Sequence, residues 1–79
     1  MNSSIIFYHS RICMKCIRVR RLLNEIKTQY PEIKIIKVLS INKYIKRELK
    51  TIPAVKINNK MIYGKDITKN IILSELNLI

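Results

Sequence analysis

Seventy-nine residues, 48% of them hydrophobic, with one glycine and two prolines, make one small globular domain over residues 1–79 with little stability to spare and no room for a second domain, a linker or a long lid. Sixteen basic against five acidic residues give a formal charge of +11, a field that attracts nucleic acid, acidic membranes or acidic proteins. The cations are scattered, however, and no stretch interleaves them with aromatics as a base-stacking platform would, so specific nucleic-acid binding is not expected.

Met1-Asn2-Ser3-Ser4 carries no basic region, and the apolar run behind it is too short for a signal peptide or a membrane span. A cytoplasmic protein without a membrane partner is the resulting expectation. Ser4 to His9 reads as a strand, and because Ile5-Ile6-Phe7-Tyr8 lacks alternation it is expected to be buried on both faces, as a central parallel strand would be. His9 reads as a partly exposed strand-end residue rather than a proton-transfer group. Ser10 to Ile12 turns into a helix from about Cys13 to Gln29, which stops before Tyr30-Pro31 because a residue ahead of proline disfavours helix. Cys16, Val19, Leu22, Leu23, Ile26 and Tyr30 recur at three- and four-residue steps and form its buried stripe. Ile33 to Leu39 is a second strand, parallel to the first across a right-handed crossover. Ile41, Tyr44, Ile45 and Leu49 mark a short amphipathic helix leading to Thr51-Ile52-Pro53. Ala54 to Ile57 and Lys60 to Tyr63 flank Asn58-Asn59, a pair that tolerates the positive φ of a two-residue hairpin turn. Gly64 ends the hairpin, and Asp66 is placed to cap a last helix lined by Ile67, Ile71, Ile72, Leu76 and Leu78. The order β-α-β-α-β-β-α predicts an α/β fold, a four-stranded mixed sheet covered by helices.

The chemistry concentrates at Cys13-Met14-Lys15-Cys16. The first turn of a helix leaves several N–H groups without partners, and the aligned peptide dipoles add roughly half a positive charge, worth about 0.3–1 kcal/mol to a nearby anion. Arg11, Lys15 and Arg18 surround that turn, where an ordinary helix would favour Asp or Glu; the first acid in the chain is Glu25. Cations there stabilise a thiolate, so the pKa of Cys13 is expected below the free-thiol value of about 8.5. The stripe places Cys16 on the packed face and Cys13 one turn earlier at the open end, an attacking thiol and a sheltered partner.

A strand, a Cys-x-x-Cys at a helix start and Thr-Ile-Pro ahead of an antiparallel hairpin closed by glycine resemble the thioredoxin fold in its short glutaredoxin-like form. Residues Cys13 to Leu23 are similar to the glutaredoxin helix, and Thr51-Ile52-Pro53-Ala54-Val55 with Ile62-Tyr63-Gly64 resembles the family's Thr-Val-Pro strand and hairpin. The resemblance implies a cis Ile52–Pro53 bond, which only about one X–Pro bond in twenty adopts, packed beside the cysteines, with the Ile52 backbone pairing with a substrate strand. It also implies a redox-active Cys13–Cys16 disulfide as the only cofactor-like group, with Arg11, Met14, Lys15, Thr51, Ile52, Pro53, Gly64 and Asp66 contributing to substrate binding. Disulfide-containing proteins are the implied substrates, and glutathione or a thioredoxin reductase the implied reductant, acting on a monomer. The chain departs from glutaredoxins at Met14-Lys15 in place of Pro-Tyr, at Ser10 and Ile12 ahead of the motif, and at Gly64-Lys65 in place of Gly-Gly, positions that belong to glutathione recognition.

Two other classes of function fit part of the pattern. Two thiolates and His9 offer at most three ligands to a metal, one short of a closed zinc site, so metal or an iron–sulfur cluster would have to be shared across a dimer. A basic adaptor that keeps the fold without the chemistry would tolerate loss of both cysteines.

Overall fold

The computed structural model describes residues 4–10, 13–39 and 52–79. Arg11, Thr51 and the amphipathic helix expected over 41–49 lie outside the described residues. The elements are β1 (Ser4–His9), α1 (Met14–Gln29), β2 (Lys34–Leu39), β3 (Ala54–Ile57), β4 (Lys60–Tyr63), a 3-10 turn at Gly64–Asp66, and α2 (Lys69–Glu75). The strands form one mixed sheet in the order β2-β1-β3-β4, as the α/β reading expects. β1 runs parallel to β2, pairing Ser4 with Lys34 through His9 with Leu39, and antiparallel to β3, pairing Phe7 with Val55. β3 and β4 close the sheet as an antiparallel hairpin. Its two-residue turn has Asn58 and Asn59 at φ 50° and 66°, the left-handed region that asparagine tolerates better than most residues.

The core lies against one face of the sheet. Ile5, Phe7, Val55, Ile57 and Ile62 pack with Cys16, Val19, Leu23 and Ile26 from α1 and with Ile72 and Leu73 from α2. Leu22 and Tyr30, also in the expected stripe, are half-buried against that cluster. β1 departs from the expectation of two covered faces: Ile5 and Phe7 are buried, whereas Ile6 and Tyr8 are only half-buried. The reason is that α1 and α2 both cover the Ile5–Phe7 side, and alternation along a strand turns Ile6 and Tyr8 away from it.

Two expectations for the last helix are corrected. Asp66 does not cap it. Gly64, at φ +54°, admits a 3-10 turn over Gly64–Asp66, and the helix starts only after Thr68, whose hydroxyl accepts the Ile71 N–H at 3.2 Å. The delayed start also rotates the helix. Ile71, expected inside by its spacing from Ile67, is 37% exposed, while Leu73 is buried beside Ile72 and Leu76. Ile67 is buried as expected, but from the loop ahead of the helix. The helix ends with Asn77 at φ 59°, with Leu78 N–H bonded to the Leu73 carbonyl at 2.8 Å and Asn77 N–H to that of Ser74 at 3.1 Å, the Schellman pattern that satisfies terminal carbonyls.

Candidate active site

The dithiol motif sits where β1 hands over to α1. Cys13 is the residue immediately ahead of the helix, with extended backbone at φ −153° and ψ 100°, and Met14 is the first helical residue. The Cys13 Sγ accepts the Cys16 N–H at 3.1 Å, so the sulfur takes the place that a serine or aspartate oxygen normally takes at a helix N-cap. No acid occupies the first turn of α1 to compete for its amides. Cys13 is half-buried, Cys16 is 1% exposed, and the two are joined as a disulfide with Cα atoms 5.2 Å apart.

The two residues between the cysteines point outward. Met14 is 84% exposed and Lys15 is exposed. The Ile52–Pro53 bond is cis, Pro53 is buried and Ile52 is half-buried against the core. The Gly64 N–H bonds the Pro53 carbonyl at 3.1 Å, which ties the far end of the hairpin to the proline. A groove of about 280 Å³ is lined by Lys15, Arg18, Pro53, Gly64 and Lys65. Three widely separated stretches of sequence thus meet there, and three of the expected substrate-binding residues, Lys15, Pro53 and Gly64, share it. Asp66 does not. It is exposed in the 3-10 turn and faces a separate depression with Lys60, Met61, Ile62, Tyr63 and Ile71. Met14 also lies elsewhere, along the outer side of α1 with Ile17 and Arg21.

Arg18 plays a part that the sequence reading did not give it. Its guanidinium donates from Nη1 to the Ile67 carbonyl and from Nη2 to the Gly64 carbonyl, both at 3.1 Å. The planar fork of arginine suits two such acceptors at once. This clamp fastens the cysteine-bearing helix to the turn after β4, and it also holds a fixed positive charge at the groove. Lys65 was missed as well, because it stands where the family pattern has a glycine.

His9 closes β1 beside the motif, its ring stacked on Phe7 with centroids 5.2 Å apart. Burial first, then the charges of Arg20 and Lys37, hold its pKa below the ordinary value of 6.5, against a hydrogen bond to the Ser10 backbone, which raises it. Among the described residues no three His, Cys, Asp or Glu side chains converge on a point that could hold a metal ion. Among them, too, no helix is long and apolar enough to cross a membrane.

The arrangement can do thiol chemistry: one sulfur at an amide-rich helix start, a second buried behind it, and a cation-lined groove alongside. Comparison with known proteins agrees. Residues 5–62 match the family model described as Glutaredoxin, a span that includes both cysteines and Pro53 and ends just before Gly64. No curated protein sequence matches the chain significantly. Among solved structures, the chain is similar to thioredoxin from Trypanosoma brucei brucei, with a TM-score of 0.74 and 20% identity over 96% of this chain and 73% of that one. It is likewise similar to thioredoxin O2 from Arabidopsis thaliana in the oxidized state, with a TM-score of 0.73 and 15% identity over 95% of this chain and 75% of that one. Identities this low speak to the fold, and the family model together with the cysteine pair supports a thiol redox function. With 5–62 of its 79 residues inside the match, the chain belongs to the glutaredoxin family and has the thioredoxin-type fold.

Proposed function

We propose that the protein is a dithiol–disulfide oxidoreductase that reduces disulfides in protein substrates. Proteins of this kind work with a disulfide substrate and a reductant, and the observation that carries the proposal here is the unequal placing of the sulfurs. The Cys13 Sγ holds the N-cap position and accepts the Cys16 N–H, while Cys16 is sealed at 1% exposure. A thiolate at Cys13 is stabilised by the amides and dipole of α1. It attacks one sulfur of the substrate disulfide, forming a mixed disulfide and releasing the other substrate sulfur as a thiol. Cys16, giving up its proton, then attacks the Cys13 sulfur. That step releases the second substrate thiol and leaves the Cys13–Cys16 disulfide, two electrons having passed to the substrate.

In this reading Ile52 and Pro53 hold the substrate chain, and Lys15, Arg18 and Lys65 attract anionic groups to the Pro53 groove. Arg11, Met14, Thr51 and Gly64 complete the proposed contact set, and Asp66, which faces a separate depression, falls outside it. The reductant is glutathione or a thioredoxin reductase in a reducing compartment, for which the cytoplasm is the proposed setting. The groove's cations suit the carboxylates of glutathione, whereas the Met14-Lys15 insert departs from the glutaredoxin pattern, so both reductants belong in the test. Turnover of a protein disulfide is measured with each, for wild type, Cys13→Ser and Cys16→Ser. The proposal predicts turnover by wild type with at least one reductant and its loss, by a factor of roughly a thousand or more, in Cys13→Ser. Full turnover by Cys13→Ser would refute it.

A further inference from the structure

The outer side of α1 bears a second groove, of about 590 Å³, lined by Met14, Ile17, Arg18, Arg21, Leu22 and Glu25. The opposite face of the helix already supplies Cys16, Val19, Leu23 and Ile26 to the core, so Met14 and Ile17 have no packing role, yet they are 84% and 42% exposed. Met14, Ile17 and Arg21 follow one another at helical steps along one line. That line begins between the two cysteines. An apolar strip flanked by guanidinium groups is the composition of a docking surface, in which methionine and arginine are enriched.

Charge decides what fits it. Glu25 is the one acid in the groove, and it is held by Lys69 of α2 at 3.2 Å. Arg18 is fixed by the Gly64 and Ile67 carbonyls but keeps its charge. Arg21 is exposed, and among the described residues no carboxylate pairs with it. The groove therefore presents net positive charge around apolar side chains, within a chain of formal charge +11. A nucleic-acid strand would satisfy the charge but would find no aromatic ring in the groove on which to stack a base. An acidic protein segment carrying one or two aliphatic side chains satisfies both features.

We infer that this face of α1 docks an acidic, leucine-bearing segment of a protein partner and so selects which disulfides reach Cys13. The inference deepens the proposed redox function and rests on it for its purpose, though not for the binding itself. The test has two arms. In the first, oxidised full-length protein is titrated with a cysteine-free fluorescent peptide of Glu and Leu, with its Lys and Leu counterpart, and with a single-stranded oligonucleotide of matching charge. No thiol chemistry can contribute there. In the second, kcat/KM is measured for a disulfide carried on the acidic peptide and for a small neutral disulfide.

The expected result is that the acidic peptide binds about tenfold more tightly than the basic one, as electrostatic complementarity allows, and that Arg21→Glu removes this preference while Ile17→Ser weakens binding several-fold. Both variants lower kcat/KM for the acidic peptide disulfide and leave the small neutral disulfide unchanged. Equal affinity for the two peptides, or acidic-peptide binding indifferent to both substitutions, overturns the inference. So does binding in which Arg21→Glu affects only the oligonucleotide. Peptide binding that follows Arg21 while no disulfide of either kind is reduced supports the docking surface and refutes the redox function, so the two failures are told apart.

Discussion

At Cys13 the backbone and the side chain make the same demand. An N-cap residue must be extended, which Cys13 is, and must offer an acceptor to the first turn, which its sulfur does for the Cys16 N–H. An ionised sulfur is the better acceptor, so helix formation and thiolate formation favour each other. Reduced protein should accordingly be alkylated by iodoacetamide at Cys13 well before Cys16, with the rate at Cys13 reaching half its maximum below the free-thiol value of about pH 8.5. Mass mapping of both cysteines against pH checks this, and equal labelling would contradict it. His9 makes a separate prediction. Its folded pKa is depressed below 6.5, chiefly by burial, so the unfolded chain binds the proton more readily than the folded one. The stability this confers is present above about pH 6.5 and is lost as the pH falls from there toward the lower folded pKa. His9 is the single histidine in the chain. A urea midpoint that falls between pH 7 and 5.5 in wild type should therefore fall less in His9→Gln.

At the scale of elements, sequence pattern worked where a residue type has one local use and failed where an intervening turn delayed an element. The cysteine motif marked the start of α1, Tyr30-Pro31 its end, and Asn58-Asn59 the turn between β3 and β4. The last helix is expected to start at Asp66, but its cap is Thr68, because the positive φ of Gly64 allows a 3-10 turn that takes up Asp66 first. From that delay follows the phase error, since Ile67 and Ile71 are four apart but only Ile71 is helical. Thr68→Ala should cost about 1 kcal/mol of stability, the usual value of an N-cap, while Asp66→Asn should stay within about 0.5 kcal/mol of wild type. Chemical denaturation of the two variants reads the difference directly. The Arg18 clamp was legible only in part. Its charge could be seen near the motif, but its acceptors, Gly64 and Ile67, lie 46 and 49 residues further on, and no local pattern announces a partner at that distance.

At the scale of the whole molecule, the sheet order places the working parts. β1 is central, and pairing with β2 on one side and β3 on the other puts the end that delivers Cys13 beside the strand that begins after Pro53. The Gly64–Pro53 hydrogen bond and the Arg18 clamp then draw the end of β4 to the same place. The Asn58-Asn59 turn between β3 and β4 and the stripe of α1 made this topology readable. The groove itself was not, because Lys65 enters it only through the tertiary fold. The central claim is that Cys13 attacks and Cys16 resolves, and one trapping measurement tests it most directly: Cys16→Ser is incubated with a protein disulfide, and any covalent adduct is mapped by mass spectrometry. The account predicts a stable mixed disulfide on Cys13 that wild type does not accumulate. Absence of any adduct on Cys13, under conditions where wild type oxidises its own pair, would contradict it.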